Sequence, residues 1–347
     1  MKKVISFFAL FVLYAVFCFP QVPPGLQTYL KKDIGMSDKQ INELHDGTPY
    51  AKSLPTRIPD EIFIFGAVHI DAGPEAYVQF AHDFNRFRTL PGHLAIGEFS
   101  SPPRLSDLKG FEFDIDEIRS LKSCRAGKCP VQLSSATMEQ LKKTVDWSAP
   151  DLNDRANLFL RDLLYKQLSG YQREGNRALG AYHDKKIPAA VAERFEQILG
   201  YPGAWPQKMP DFYNHLLHYP QGKPTNVEDT FYWAKVKFGL KPTLRIVHLA
   251  TLRGSAQGNP AYVVAEKQLY ASHYFRTALD ITFIISDTND PSGPGFYLIK
   301  VMGSEQAGLT GFLGSIIRKI ALGRSTSSLK KALTLIKTTL ENDTYRP

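Results

Sequence analysis

GFYLIKVMGSEQAGLTGFLGSIIRKIALGRSTSSLKKALTLIKTTLE, residues 295–341, carries the reading of the fold. Residues 295–302 are rich in β-branched and aromatic side chains and read as a strand. The remainder turns helical. Leu309, Phe312, Leu313, Ile316, Ile317 and Ile320 recur at three-and-four spacing as one apolar stripe, and Leu329, Leu333, Ile336 and Leu340 form another. Gly323 separates the stripes, and Ser325 or Ser327 can cap a second helix beyond it. Upstream, residues 229–238, 243–252, 261–275 and 278–286 read as strands, separated by turn-forming runs at 239–242, 254–260 and 289–294. Connections this short between consecutive strands predict an antiparallel meander closed by the terminal helix.

Working back toward the N-terminus, residues 61–72 (EIFIFGAVHIDA) read as a strand. Gly73-Pro74 then opens a helix whose Tyr77, Phe80, Ala81, Phe84 and Phe87 share one face, and a second strand is expected at 93–99. Residues 100–150 form an irregular insertion with a helix near 134–145. A long helical pattern follows over 152–182, weakened by glycines at 170, 175 and 180, with shorter helices at 189–199 and around 211–217. Residues 21–60 are proline-spotted and polar and read as an extension with one short helix at 37–45. No internal repeat is visible. This order of elements is α+β.

A chain of 347 residues that is 43% apolar and 22% charged is long and apolar enough for a sizeable core, which excludes a disordered or small disulfide-stapled protein. Met1-Lys2-Lys3, the apolar run 4–19 and the exit Pro20-Gln21-Val22-Pro23-Pro24 describe a secretory signal over residues 1–20. The chain is therefore expected to be exported, periplasmic or secreted, and membrane-anchored where that segment is not removed. Beyond it only Cys124 and Cys129 remain, in CRAGKC, and an oxidising compartment favours their pairing as a disulfide. The net charge of +8 suits anionic lipid headgroups. Lys and Arg are scattered rather than clustered into a nucleic-acid arm, so no nucleic-acid partner is expected.

Residues 63–87 (FIFGAVHIDAGPEAYVQFAHDFNRF) and 295–341 resemble the first strand and helix, and the last strand and helix, of the START-like superfamily. This is the helix-grip fold of lipid-transfer proteins, polyketide cyclases and related binding proteins. The resemblance implies a START-like domain over 61–347, a curved antiparallel sheet closed by a C-terminal amphipathic helix. It carries a large helical insertion at about 100–215, more than is usual in that superfamily. It also implies a hydrophobic cavity under the closing helix. The function implied is binding of a hydrophobic or amphipathic ligand, a lipid before other apolar small molecules, with a membrane-surface contact and without catalysis. Phe312, Ile316 and Ile320 on the helix, with Tyr232, Tyr262, Tyr270 and Tyr274 on the strands, are the expected lining. His248 and His273, flanked by apolar neighbours in the meander, are expected to orient the ligand. The alternatives are a cyclase- or dehydratase-like enzyme using His248 or His273 with a nearby acid, and a non-catalytic interaction protein of the envelope.

Other constellations are weaker. His215 and His218 with Asp211 fall short of a zinc site without a further ligand. His69 and Asp71 alternate on one strand face, either as an acid–base pair or as polar groups capping the next helix. Arg245, Arg253, Glu266, Lys267 and Arg276 lie in or beside strands, and any that faces inward is a candidate for ligand recognition, because a buried charge is costly unless paired. Ser255 in GSAQG does not fit the G-x-S-x-G elbow, and no P-loop, dinucleotide fingerprint or H-E-x-x-H occurs, so no cofactor or metal is expected.

Overall fold

The computed structural model describes residues 22–89, 92–201, 209–254, 261–287 and 295–342. The segment 1–20 expected to be a secretory signal, Ser255, the rest of the turn expected at 254–260 beyond Gly254, and the turn expected at 289–294 lie outside the described residues. The strands are β1 (Tyr50–Ser53), β2 (Glu61–Ile70), β3 (His93–Glu98), the short β4 (Ala181–Tyr182) and β5 (Ala189–Ala190), and then β6 (Val227–Phe238), β7 (Lys241–Arg253), β8 (Tyr262–Ala271), β9 (Phe275–Asp287) and β10 (Gly295–Gln306). The α-helices are α1 (Pro24–Lys32), α2 (Asp38–His45), α3 (Glu75–His82), α4 (Phe84–Phe87), α5 (Ile115–Leu121), α6 (Ser135–Thr144), α7 (Leu152–Glu174), α8 (Val191–Leu199), α9 (Pro210–His218) and α10 (Gly311–Glu341).

Eight strands form one antiparallel sheet in the order β1-β2-β10-β9-β8-β7-β6-β3. The expected meander runs from β6 to β10, and β2 then pairs with β10, so the first long strand lies beside the last. The sheet is open, with β1 and β3 as its edges. All ten residues of β2 are buried because helices cover both faces. Alternation sends Phe63, Phe65, Phe283, Tyr297 and Ile299 to one face, under α1, α2, α8 and α9. That face continues through Trp233, Ile246 and Tyr270 under α7 and its neighbours. Ile64, Val68, Val247, Val264 and Leu298 point to the other face, under α3 and the second half of α10.

Within residues 22–60, α1 and α2 bury Leu26, Leu30, Ile41 and Leu44, and β1 pairs Tyr50 with Ala67 at the sheet edge. The helix expected over 152–182 stops at Glu174, because Gly175 takes φ +63° and a Cβ there would sit 1.9 Å from the Tyr219 carbonyl oxygen. Cys124 and Cys129 form a disulfide across the turn Arg125–Lys128.

The C-terminal helix does not break at Gly323; α10 is continuous for 31 residues. Its second half lies on β2, where Leu329 and Leu333 fill the space left by Gly66. A Cβ at that glycine would be 2.6 Å from Leu329 Cδ2 and 2.9 Å from Leu333 Cδ1. Each helical residue turns about 100°, so the thirteen steps from Ile316 to Leu329 rotate one stripe roughly 220° from the other. With the second stripe on the sheet, the first faces away from it.

The two stripes should therefore respond differently to truncation. Leu333, fully buried, costs about 2–5 kcal/mol as Leu333→Ala. Ile316, 47% exposed, changes stability by no more than about 0.5 kcal/mol as Ile316→Ala. Urea denaturation of both variants checks this, and comparable losses would contradict the placement of the helix.

Candidate functional site

The first three turns of α10 hold the largest exposed apolar cluster among the described residues. Phe312 is 83% exposed and Leu313 71%, and Ile316, Ile317 and Ile320 are close to half exposed. The setting is fixed from the opposite side of the helix. Arg318 Nε donates to the Pro59 carbonyl at 2.9 Å, and its Nη2 donates to Thr56 Oγ1 at 2.7 Å and to the Glu61 carbonyl at 3.2 Å. Gly314 allows close approach there, since a Cβ would meet the Leu309 carbonyl carbon at 2.6 Å. Beside this anchor runs an open groove of about 640 Å³, bounded by Ile58, Pro59, Leu309, Thr310, Ser315 and Leu322. At about 100° per residue, exposed Lys319 borders the apolar stripe, and exposed Arg324, Lys330 and Lys331 continue its outward face beyond Ile320. Glu341 is the single acid of the helix.

The residues expected to line a cavity do not surround a common space. Phe312, Ile316 and Ile320 point away from the sheet. Register separates Tyr232 from His248: His248 lies opposite Phe231 and Tyr232 opposite Val247, so the two side chains leave opposite faces. Tyr232 donates to Glu266 Oε2 at 2.8 Å, and Tyr262 donates to the Glu75 carboxylate on the α3 face. Tyr270 packs on the other face against α7, where Leu164, Leu168, Tyr171, Leu179, Ile246 and Leu269 leave no room for a water. His273 is buried between the Pro130 carbonyl, 2.9 Å from Nδ1, and the Glu117 carboxylate. Tyr274 sits in the β8–β9 turn at φ +64°, and its hydroxyl accepts the backbone N–H groups of Leu240 and Lys241 at 3.0 Å each.

His248 belongs to a buried polar centre. Its Nε2 is 2.7 Å from Asp229 Oδ1, which also lies 2.9 Å from His215 Nε2, while Lys223 Nζ stands 2.8 Å from Asp229 Oδ2. The Tyr171 hydroxyl is 3.0 Å from His248 Nδ1. The neutral tautomer with the proton on Nε2 satisfies both contacts, donating to Asp229 and accepting from Tyr171. His215 is thus recruited by Asp229 rather than by His218. Burial pushes His248 down to about 4, against the pull of Asp229. Burial alone would raise Asp229, but the hydrogen bonds from His215, His248 and Lys223 hold it well below the ordinary carboxylate range. Lys267 lies in the same region, donating to Asn176 Oδ1 at 2.6 Å and the Leu216 carbonyl at 2.8 Å, and its burial lowers its pKa strongly.

Arg245 and Glu266 do face inward, on the α3 and α10 side, where they meet two partners not foreseen in the sequence. Lys300 Nζ donates to Glu266 Oε1 at 3.0 Å and lies 3.7 Å from Asp280 Oδ2. Burial opposes the charge on Glu266, but Lys300, the Tyr232 hydroxyl and Arg245 together outweigh it, bringing the carboxyl to about 2. Asp280 is instead raised by burial. A different histidine–carboxylate group gathers His45, His69 and Asp287, with Asp71 3.3 Å from His69 Nδ1. The potential ligand atoms of His45, His69 and Asp287 lie within 4.8 Å of one another, as do those of His215, Asp229 and His248. No protein-family model and no curated protein matches this chain.

The His248 centre makes stability fall with acid. Between its ordinary 6.5 and about 4, the unfolded chain binds a proton at this histidine that the folded chain excludes. The loss is about 1.4 kcal/mol per pH unit, roughly 3 kcal/mol across the window. Asp229 acts in the same direction only below its ordinary 3.8. Urea denaturation from pH 7 to 4.5 should show the decline, with a shallower slope in His248→Gln; equal slopes would contradict the assignment.

Proposed function

We propose that this protein binds anionic lipid surfaces from outside the hydrocarbon core, inserting the outward stripe of α10 into the headgroup boundary. The observation that carries the reading is the large exposure of Phe312, Leu313, Ile316, Ile317 and Ile320 on a helix held rigidly by Arg318 and Gly66. Full burial of each such side chain is worth about 1.5–3 kcal/mol. Lys319, Arg324, Lys330 and Lys331 add on the order of 1 kcal/mol each near an anionic headgroup. This is the pattern of an interfacial helix, an apolar stripe with cations beside and beyond it. No described helix is long and apolar enough to cross a membrane.

The START-like resemblance supports a lipid as the ligand class, and an antiparallel sheet with a C-terminal helix packed on it is compatible with that reading. The site is moved to the outer side of the helix, with the adjoining groove as the place for an acyl chain or headgroup. The apolar 4–19 segment and the Cys124–Cys129 disulfide support export to an oxidising compartment, where such a surface would meet a membrane. A cyclase- or dehydratase-like role would require substrate to reach His248 or His273, and both are buried.

Vesicle co-sedimentation tests the proposal, using a chain that begins at Gln21 so that the apolar leader contributes nothing. The protein should pellet with vesicles containing phosphatidylglycerol and much less with pure phosphatidylcholine. Replacing Phe312 and Ile316 together by serine should weaken binding at least tenfold without lowering the thermal midpoint. Equal binding by the double variant, or none by the parent chain, would overturn the reading.

A further inference from the structure

We propose that His45, His69 and Asp287 form a binding site for a first-row divalent transition-metal ion, with Zn²⁺ the best match. Each of the three residues offers one ligand atom, a ring nitrogen or a carboxylate oxygen, and these atoms all lie within 4.8 Å of one another. Asp287 Oδ2 is 3.3 Å from His69 Nε2 and 3.8 Å from His45 Nδ1. Tetrahedral zinc with bonds of about 2.0–2.1 Å has ligand–ligand edges of roughly 3.3 Å, so a small inward movement of His45 completes the set.

Three observations distinguish this group from an ordinary buried ion pair. His69 is 3% exposed, and its Nε2 makes no hydrogen bond among the described residues although the carboxylate oxygen is within 3.3 Å. A buried ring nitrogen left without a hydrogen bond beside a carboxylate is available as a ligand atom. Asp71 Oδ1 lies 3.3 Å from the opposite ring nitrogen, Nδ1, where a carboxylate outside the coordination shell favours the tautomer that leaves Nε2 as a lone-pair donor. Gly295 closes the near side with backbone alone; a Cβ there would be 2.8 Å from Nε2.

Access and preorganisation come from α2 and β10. The Ser37–Gln40 capping box fixes the start of α2, whose last residue is His45, a side chain still 16% exposed and so a route in from solvent. The Tyr297 hydroxyl, 2.6 Å from His45 Nδ1, holds that ring over the site and is placed to release it to an ion. The nearby cation, Lys337, is turned to the His69 carbonyl at 3.2 Å and paired with Glu341. The His215–Asp229–His248 group lacks this character, because both histidine nitrogens sit at hydrogen-bond distance from one oxygen and Lys223 occupies the other. The donor set of two imidazoles and one carboxylate suits zinc-like ions over calcium or magnesium, and leaves a fourth position for water.

The test is independent of lipid binding. The purified full-length chain, stripped with a chelator, is titrated with Zn²⁺ by calorimetry and with Co²⁺ by visible absorption. One ion per chain, a tetrahedral Co²⁺ spectrum and a raised thermal midpoint with Zn²⁺ are expected. His45→Gln, the variant least able to disturb the core, should weaken Zn²⁺ binding at least tenfold, and Asp71→Asn about tenfold. His218→Gln should bind as the parent does. Absence of stoichiometric binding, or full binding by His45→Gln and Asp287→Asn, would overturn the site.

Discussion

A helix that turns about 100° per residue cannot lay two stripes roughly 220° apart on the same surface. In α10 that constraint is resolved in favour of the C-terminal stripe. Gly66 leaves a side-chain-sized space on β2, and Leu329 and Leu333 occupy it at contact distance. Once these residues are docked, the azimuth of the whole helix is set, and Arg318 secures the other end through Pro59, Thr56 and Glu61. Phe312, Leu313, Ile316, Ile317 and Ile320 are then committed to solvent, whatever their own preference for burial. The free energy holding them there comes from contacts they do not make.

The two faces of the sheet divide the remaining chemistry. The side under α3 and α10 carries apolar side chains and the charged group of Arg245, Glu266, Asp280 and Lys300. The side under the remaining helices carries both histidine–carboxylate groups and Lys267. In one of them Asp229 is matched against His215, His248 and Lys223, and Lys267 is matched against the Asn176 and Leu216 oxygens. Such centres rigidify a large open sheet, and removing one partner leaves the other buried and uncompensated. The proposed recognition surface on α10 thus stands apart from the charged centres of the interior.

Much of this was legible in the chain. The meander was readable because Gly239-Leu240-Lys241-Pro242 punctuates the runs on either side, and the observed β6 and β7 differ from the expected strands by one or two residues at their ends. The β8–β9 turn was placed a few residues late, between 275 and 278, because Ser272, His273 and Tyr274 lack the usual glycine or proline; Tyr274 takes positive φ there with its hydroxyl accepting two backbone N–H groups. Gly323 read as a break, yet a glycine costs a helix only about 1 kcal/mol, and tertiary anchoring on both sides outweighs that. Had the helix been taken as continuous, its spacing alone would have separated the stripes. The His45, His69 and Asp287 group follows no local spacing; it arises because β10 lies between β2 and β9, a cross-sheet neighbourhood that periodicity does not encode.

The account is tested most directly by the surroundings of position 316 in solution and on a membrane. A spin label on Ile316→Cys, in a chain beginning at Gln21, reports them through collisions with a water-soluble relaxer and with oxygen. The label should be mobile and water-exposed in the free protein, then shielded from the relaxer and open to oxygen once phosphatidylglycerol vesicles are added. A label already immobile and shielded in the free protein, or unchanged by vesicles, would contradict an outward, lipid-seeking stripe.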